Sequence, residues 1–139
     1  MTGRVAGKVA LVTGGSGGIG EATARLLWEE GARVALVDLD RTQVDQAAVA
    51  IDPGAERTTG IAAVLDDEAQ AERAVRETVE RFGRLDILAN VAGVRVWGPV
   101  TEADPDSWDR IVRGNLLQVG YTSKFAVREM VKAGGGSIV

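Results

Sequence analysis

Short apolar runs alternate along the chain with segments of helical period. Lys8-Val9-Ala10-Leu11-Val12 is bulky, halts at Thr13-Gly14 and predicts a buried strand. From Gly18 to Glu30 the apolar positions Ile19, Ala22, Leu26 and Leu27 fall on one helical face, with Gly31 as the stop. Arg33 to Val37 predicts a second strand, and Arg41 to Ile51 a second helix closed by Pro53-Gly54. The mixed run Thr58 to Leu65 fits an edge strand. Asp67 with Gln70 makes a capping-box-like start to a helix that carries Ala71, Val75, Val79 and Phe82 on one face and ends at Gly83. Leu85 to Ala89 reads as a fourth strand. Asp104-Pro105 places an N-cap before a proline at the first helical position, opening one long helix that runs to about Ala133. Ser137-Ile138-Val139 reads as the first residues of a fifth strand.

The order β-α-β-α-β-α-β-α-β, joined by right-handed crossovers, predicts an α/β fold: a Rossmann-type doubly wound parallel sheet with helices on both faces. A length of 139 residues gives room for one core and a single domain over 1–139. The 18 glycines cluster at Gly14 to Gly20 and at Gly134 to Gly136, which points to local backbone requirements. A net charge of −4 leaves no electrostatic footprint for nucleic acid or anionic lipid. The chain has no Cys and no His. That removes disulfides, thiolate metal sites, the commonest metal ligand and every Ser-His or Cys-His pair, so no metal is expected. Met1 to Lys8 carries no apolar signal segment, and no later run approaches the ~18 apolar residues of a membrane span. A cytoplasmic location is the expectation.

Strand, glycine loop and helix in succession present unpaired helix N–H groups to a phosphate. Glycine is needed there because the turn is tight and a side chain would hold a pyrophosphate off the backbone. The segment Thr13-Gly14-Gly15-Ser16-Gly17-Gly18-Ile19-Gly20 parses in two ways. Gly15, Gly17 and Gly20 fit G-x-G-x-x-G, whereas Gly14, Gly18 and Gly20 fit T-G-x-x-x-G-I-G. Glu21 after Gly20 excludes a P-loop, which requires Lys. Asp38, after the second strand, is placed to accept hydrogen bonds from adenosine ribose hydroxyls and to repel a 2′-phosphate. Gly17 offers no cation for such a phosphate, so NAD is favoured over NADP; Arg41 is the nearby cation that argues the other way.

The T-G-x-x-x-G-I-G parse, together with three later segments, resembles the short-chain dehydrogenase/reductase family. Leu85-Asp86-Ile87-Leu88-Ala89-Asn90-Val91-Ala92-Gly93 is similar to the family's D-x-L-x-N-N-A-G, departing at Val91. Asn115-Leu116, following Trp108, resembles the family's helix Asn, and Ala63-Val64 falls where the family has Asp-Val against adenine. The resemblance implies a cofactor site at Gly14, Ser16, Gly17, Gly18, Ile19, Gly20, Asp38, Leu39, Val64, Asn90, Ala92 and Gly93. Ala63 lacks the family's carboxylate, which leaves a backbone contact from Val64. Asn115 is implied as the catalytic-site Asn that holds a water in the proton relay.

Gly136-Ser137-Ile138-Val139 resembles the strand that precedes the family's catalytic Ser, and the family's Tyr-x-x-x-Lys pair lies further on still. Ser137 precedes that strand and is not the catalytic residue. Tyr121 and Lys124 are three apart and too close to Asn115, so they read as packing and surface residues. The resemblance therefore implies a C-terminally truncated member: the NAD platform of an oxidoreductase acting on a small-molecule alcohol or carbonyl, inactive alone, and homo-oligomeric in its full-length relatives. The alternatives are a non-catalytic NAD-binding module or a partner for a separate C-terminal half.

Overall fold

A computed structural model describes residues 3–139; Met1 and Thr2, the start of the segment read for a signal, lie outside the described residues. Strand β1 (Val9–Thr13) is buried at every position because helices cover both its faces. Val9 and Leu11 enter one core and Ala10 and Val12 the other. β2 (Arg33–Asp38) divides the same way, with Ala35 and Val37 against the first core and Val34 and Leu36 against the second. This two-sided burial explains the unbroken apolar runs in the sequence.

With β3 (Thr58–Ala62), β4 (Ile87–Asn90) and β5 (Ser137–Ile138), the strands form one parallel sheet in the order β3-β2-β1-β4-β5. Helices α1 (Gly18–Glu29) and α2 (Arg41–Ile51) supply the second core; α3 (Glu68–Phe82) and α5 (Gln118–Lys132) supply the first. The strand order runs outward in both directions from β1, which puts a crevice at the carboxyl ends of β1 and β4. The doubly wound α/β expectation holds. No helix among the described residues is long and apolar enough to cross a membrane.

Two caps read from sequence are present. Asp67 accepts from the Gln70 N–H at 3.0 Å, and Asp104 from the Ser107 N–H at 2.8 Å. Hydrogen bonding by Ser107, first from its side chain and then from its N–H, holds the Asp104 carboxyl below the usual carboxylate range. Gly83 closes α3 at φ 87° and Gly31 follows α1 at φ 95°, both conformations that favour glycine.

Three expectations need correction, and a fourth gains a detail. The buried face of α1 is Gly20 and Ala24, with Leu27 and Trp28 packed beside them, while Ile19 is 75% exposed and Leu26 51%. The helix lies so close to the sheet that only small residues fit beneath it, and the larger apolar residues rotate outward. β3 stops at Ala62, short of Leu65, because the Val64 N–H turns to the Gln70 side chain at the start of α3. β4 begins at Ile87 and reaches Asn90, the Asp86 carboxylate being bound to the Val9 N–H just before the ladder starts. The long helix runs to Lys132 as expected but is not uniform: α4 (Pro105–Val112) passes into α5 through a π turn at Arg113–Leu117. Gly114 marks that turn, since a Cβ there would lie 2.4 Å from Val94 Cγ2.

Candidate functional site

The glycine loop contains two kinds of glycine. A Cβ on Gly20 would lie 1.9 Å from the Gly14 carbonyl oxygen, and one on Gly15 2.7 Å from Leu36 Cβ. Gly14 has φ +65° and backs onto Ala92, at 3.0 Å from its Cα and N. These three are dictated by the protein's own packing. Gly18, by contrast, faces open space, and Gly17 meets nothing closer than the Gly14 carbonyl oxygen at 3.4 Å. At Gly17 and Gly18 the missing side chains leave room at the start of α1, where no side chain caps the helix and its first N–H groups point outward. A pyrophosphate fits that donor set.

Asp38 joins this loop to the rest of the site. Its Oδ2 accepts from the Ser16 N–H at 3.0 Å and the Ser16 hydroxyl at 2.6 Å, and its Oδ1 accepts from the Leu39 N–H at 2.8 Å. Ser16 is thereby placed as a loop-fixing residue. Arg41, the cation that argued for a 2′-phosphate, is committed elsewhere: Nη1 donates to Asp45 Oδ1 and to the Gly60 carbonyl, both at 3.1 Å.

Beside the loop lies a cleft of about 470 Å³ whose walls include Asp38, Leu39, Val64, Ala92 and Gly93. Five sequence-predicted residues therefore share one cavity, and the loop meets it at Asp38 and Ala92. The loop glycines and Ile19 do not line the cleft; Ile19 sits exposed on the first turn of α1. Val64 needs correction in detail. Its N–H donates to Gln70 Oε1 at 2.8 Å and its carbonyl accepts from the Asp67 N–H at 3.2 Å. Its backbone thus serves the turn into α3, and only its side chain is left to face a base.

Asn90 lies one layer behind, its Oδ1 accepting from the Thr122 hydroxyl at 2.9 Å. Asn115, in the π turn, gives Nδ2 to the Val94 and Ile111 carbonyls at 2.9 Å each and accepts the Val94 N–H at 3.2 Å. Its amide is fully engaged in holding the loop after β4. Gly93 is small for the same reason, a Cβ there falling 2.7 Å from Asn115 Oδ1. Tyr121 packs against the first core and Lys124 pairs with Glu68.

Sequence reasoning missed two contributors. Thr13 Oγ1 accepts the Val91 and Ala92 N–H groups, each at 3.1 Å, fixing the cleft floor from the β1 side. Gln118 is buried and donates to the Ala92 carbonyl at 2.8 Å from the α5 side. The three-residue spacing of Asn115 and Gln118 on one helical face was the available signal.

A family model described as short chain dehydrogenase matches residues 8–139. The chain is 38% identical over 128 residues to meso-2,3-butanediol dehydrogenase of Serratia marcescens, covering 92% of this chain and 50% of that protein. It is 39% identical over 138 residues to D-threitol dehydrogenase of Mycolicibacterium smegmatis, covering 98% of this chain and 52% of that protein. Against 2,5-dichloro-2,5-cyclohexadiene-1,4-diol dehydrogenase of Sphingobium indicum it is 36% identical over 139 residues, or 100% of this chain and 56% of the other. The chain thus spans about half the length of the curated relatives it matches.

Proposed function

Because the chain belongs to the short-chain dehydrogenase family, we propose that it is an NAD-binding platform for hydride transfer between a small alcohol and its carbonyl form. The observation that carries this reading is the pairing of open glycines at the start of α1 with the Asp38 carboxylate one strand away. NAD, when bound, supplies the hydride acceptor for alcohol oxidation. The first N–H groups of α1 hold its pyrophosphate, and Asp38 takes the adenosine ribose hydroxyls and repels a 2′-phosphate. The commitment of Arg41 to Asp45 and Gly60 supports NAD over NADP. Leu39 and Val64 offer apolar walls to the base, and Ala92 and Gly93 form the floor. Asn115 belongs to the proton-relay side of the site, where its side chain fixes Val94.

Small diols are the first substrates to assay, since three relatives are named for diols or a tetritol. An alkoxide developing during carbonyl reduction needs an acid. The chain has no His, and its one Tyr packs against the core. Turnover is therefore not expected from these residues alone, and the location proposed for the protein is cytoplasmic.

Calorimetric titration with NAD and NADP tests the reading. The wild-type chain binds NAD more tightly than NADP. Asp38→Ala weakens NAD at least about tenfold, the value of one or two hydrogen bonds to a charged group, and narrows the gap to NADP. A folded chain that binds neither nucleotide, or an Asp38→Ala variant that binds NAD unchanged, overturns it.

A further inference from the structure

After β4 the chain stays laced to the neighbouring helix, and alternate residues are held by polar side chains there. Asn90 accepts from Thr122, the Ala92 carbonyl from Gln118, and Val94 both donates to and accepts from Asn115. A spacing of two along the strand exit is matched by spacings of three and four along the helix, which puts each partner set on one face. The π turn creates the middle rung. Within it the Gln118 N–H reaches the Arg113 carbonyl, five residues back, so the Gly114 carbonyl loses its usual helical donor. The Gln118 side-chain amide donates to that Gly114 carbonyl and to the Ala92 carbonyl together. Ala92 is thus gripped on both sides, its N–H by Thr13 and its carbonyl, in the next peptide group, by Gln118. Ala92 is also the residue on which Gly14 packs, and with Gly93 and Gln118 it lines the cleft.

We propose that Gln118 is a positioning residue for the dinucleotide: by drawing the Ala92 carbonyl toward α5 it keeps that oxygen out of the cleft floor. The inference rests on the NAD reading above. Without the Gln118 amide, the Ala92 carbonyl loses its partner in a half-dry site, where an unpaired acceptor is unfavourable. The peptide then rotates to present the oxygen to the cleft, where it opposes the oxygen-rich ribose and phosphate groups of the ligand. Gln118 acts through Ala92 and touches none of the reacting atoms.

Two variants of the full chain test this. Gln118→Met keeps the volume and removes both donated bonds; Gln118→Glu keeps the shape and sets a carboxylate against two carbonyls. The expected result is NAD binding about five- to tenfold weaker in each, in line with loss of the one bond that holds the Ala92 carbonyl, with a cooperative thermal transition still present. The amide nitrogen of Gly93 follows the Ala92 carbonyl, so its NMR resonance reports that bond directly and moves in both variants before any ligand is added. NAD affinity equal to wild type, or an unmoved Gly93 resonance, overturns the role of Gln118 while leaving the NAD reading intact. Failure of the wild-type chain to bind NAD overturns the NAD reading and this inference with it.

Discussion

Gly18 and Gly20 stand two positions apart in the same first helical turn, yet their hydrogens face different things. Gly20 abuts the Gly14 carbonyl, so Gly20→Ala forces backbone apart and is expected to destabilise the fold by about 1–3 kcal/mol or more. Gly18 abuts nothing, so Gly18→Ala is expected to melt at or above the wild-type temperature while losing NAD affinity. Thermal melting and titration of the two variants together check the assignment. Loss of stability in Gly18→Ala would show that the space belongs to the protein. Asp86 makes the comparable point for charge. It is nearly buried, with Arg84 donating Nε and Nη2 to its oxygens at 2.6–3.1 Å, the Val9 N–H at 3.0 Å and Lys8 Nζ at 3.7 Å. Burial by itself raises its carboxyl. The Arg84 hydrogen bonds, the Val9 N–H and the Arg84 and Lys8 charges outweigh that and hold it below its ordinary value near 3.8. The stability it adds is therefore complete above that ordinary value and is lost as pH falls through the lower folded value. Asp86→Asn is expected to cost about 1–3 kcal/mol at neutral pH and to flatten the acid limb of a denaturation–pH profile; an unchanged limb would count against the assignment.

At the level of elements, the β3 edge of the sheet is sealed by side chains. Along β3, Arg41 donates to the Gly60 carbonyl and Arg73 to the Ala62 carbonyl at 2.7 Å, so guanidinium groups from α2 and α3 occupy acceptors that an incoming strand would use. The double variant Arg41→Ala, Arg73→Ala is expected to aggregate earlier on heating, read by light scattering. Neither arginine announced this in the sequence, where Arg41 stood out only as a cation near Asp38. The elements themselves were far more legible. Asp67, Asp104, Pro105, Gly31 and Gly83 act through bonds or backbone angles within a few residues of themselves, and all five punctuate the chain where the sequence placed them. The π turn was not legible, because the residues that make it favourable lie on the loop after β4: Val94 needs the space at Gly114, and Ala92 and Val94 bind Gln118 and Asn115.

On the scale of the whole molecule, β5 continues the parallel sheet beyond β4, with Ser137 and Ile138 in register with Ile87 and Leu88. The period of the apolar positions, read with the glycine and cap signals, was enough to determine the strands, the helices and the parallel doubly wound sheet, because burial on both faces leaves short continuous apolar runs between segments of helical period. The glycine loop and Asp38 were likewise readable, being defined by backbone conformation and by position at a strand end. Tertiary structure alone decided which face of α1 is buried, since that depends on how closely the helix approaches the sheet. It alone turned the Val64 backbone into the start of α3 and withdrew Arg41 to the β3 edge. It alone also gripped Ala92 between Thr13 and Gln118, groups far apart in the chain that meet only when β1, β4 and α5 pack together.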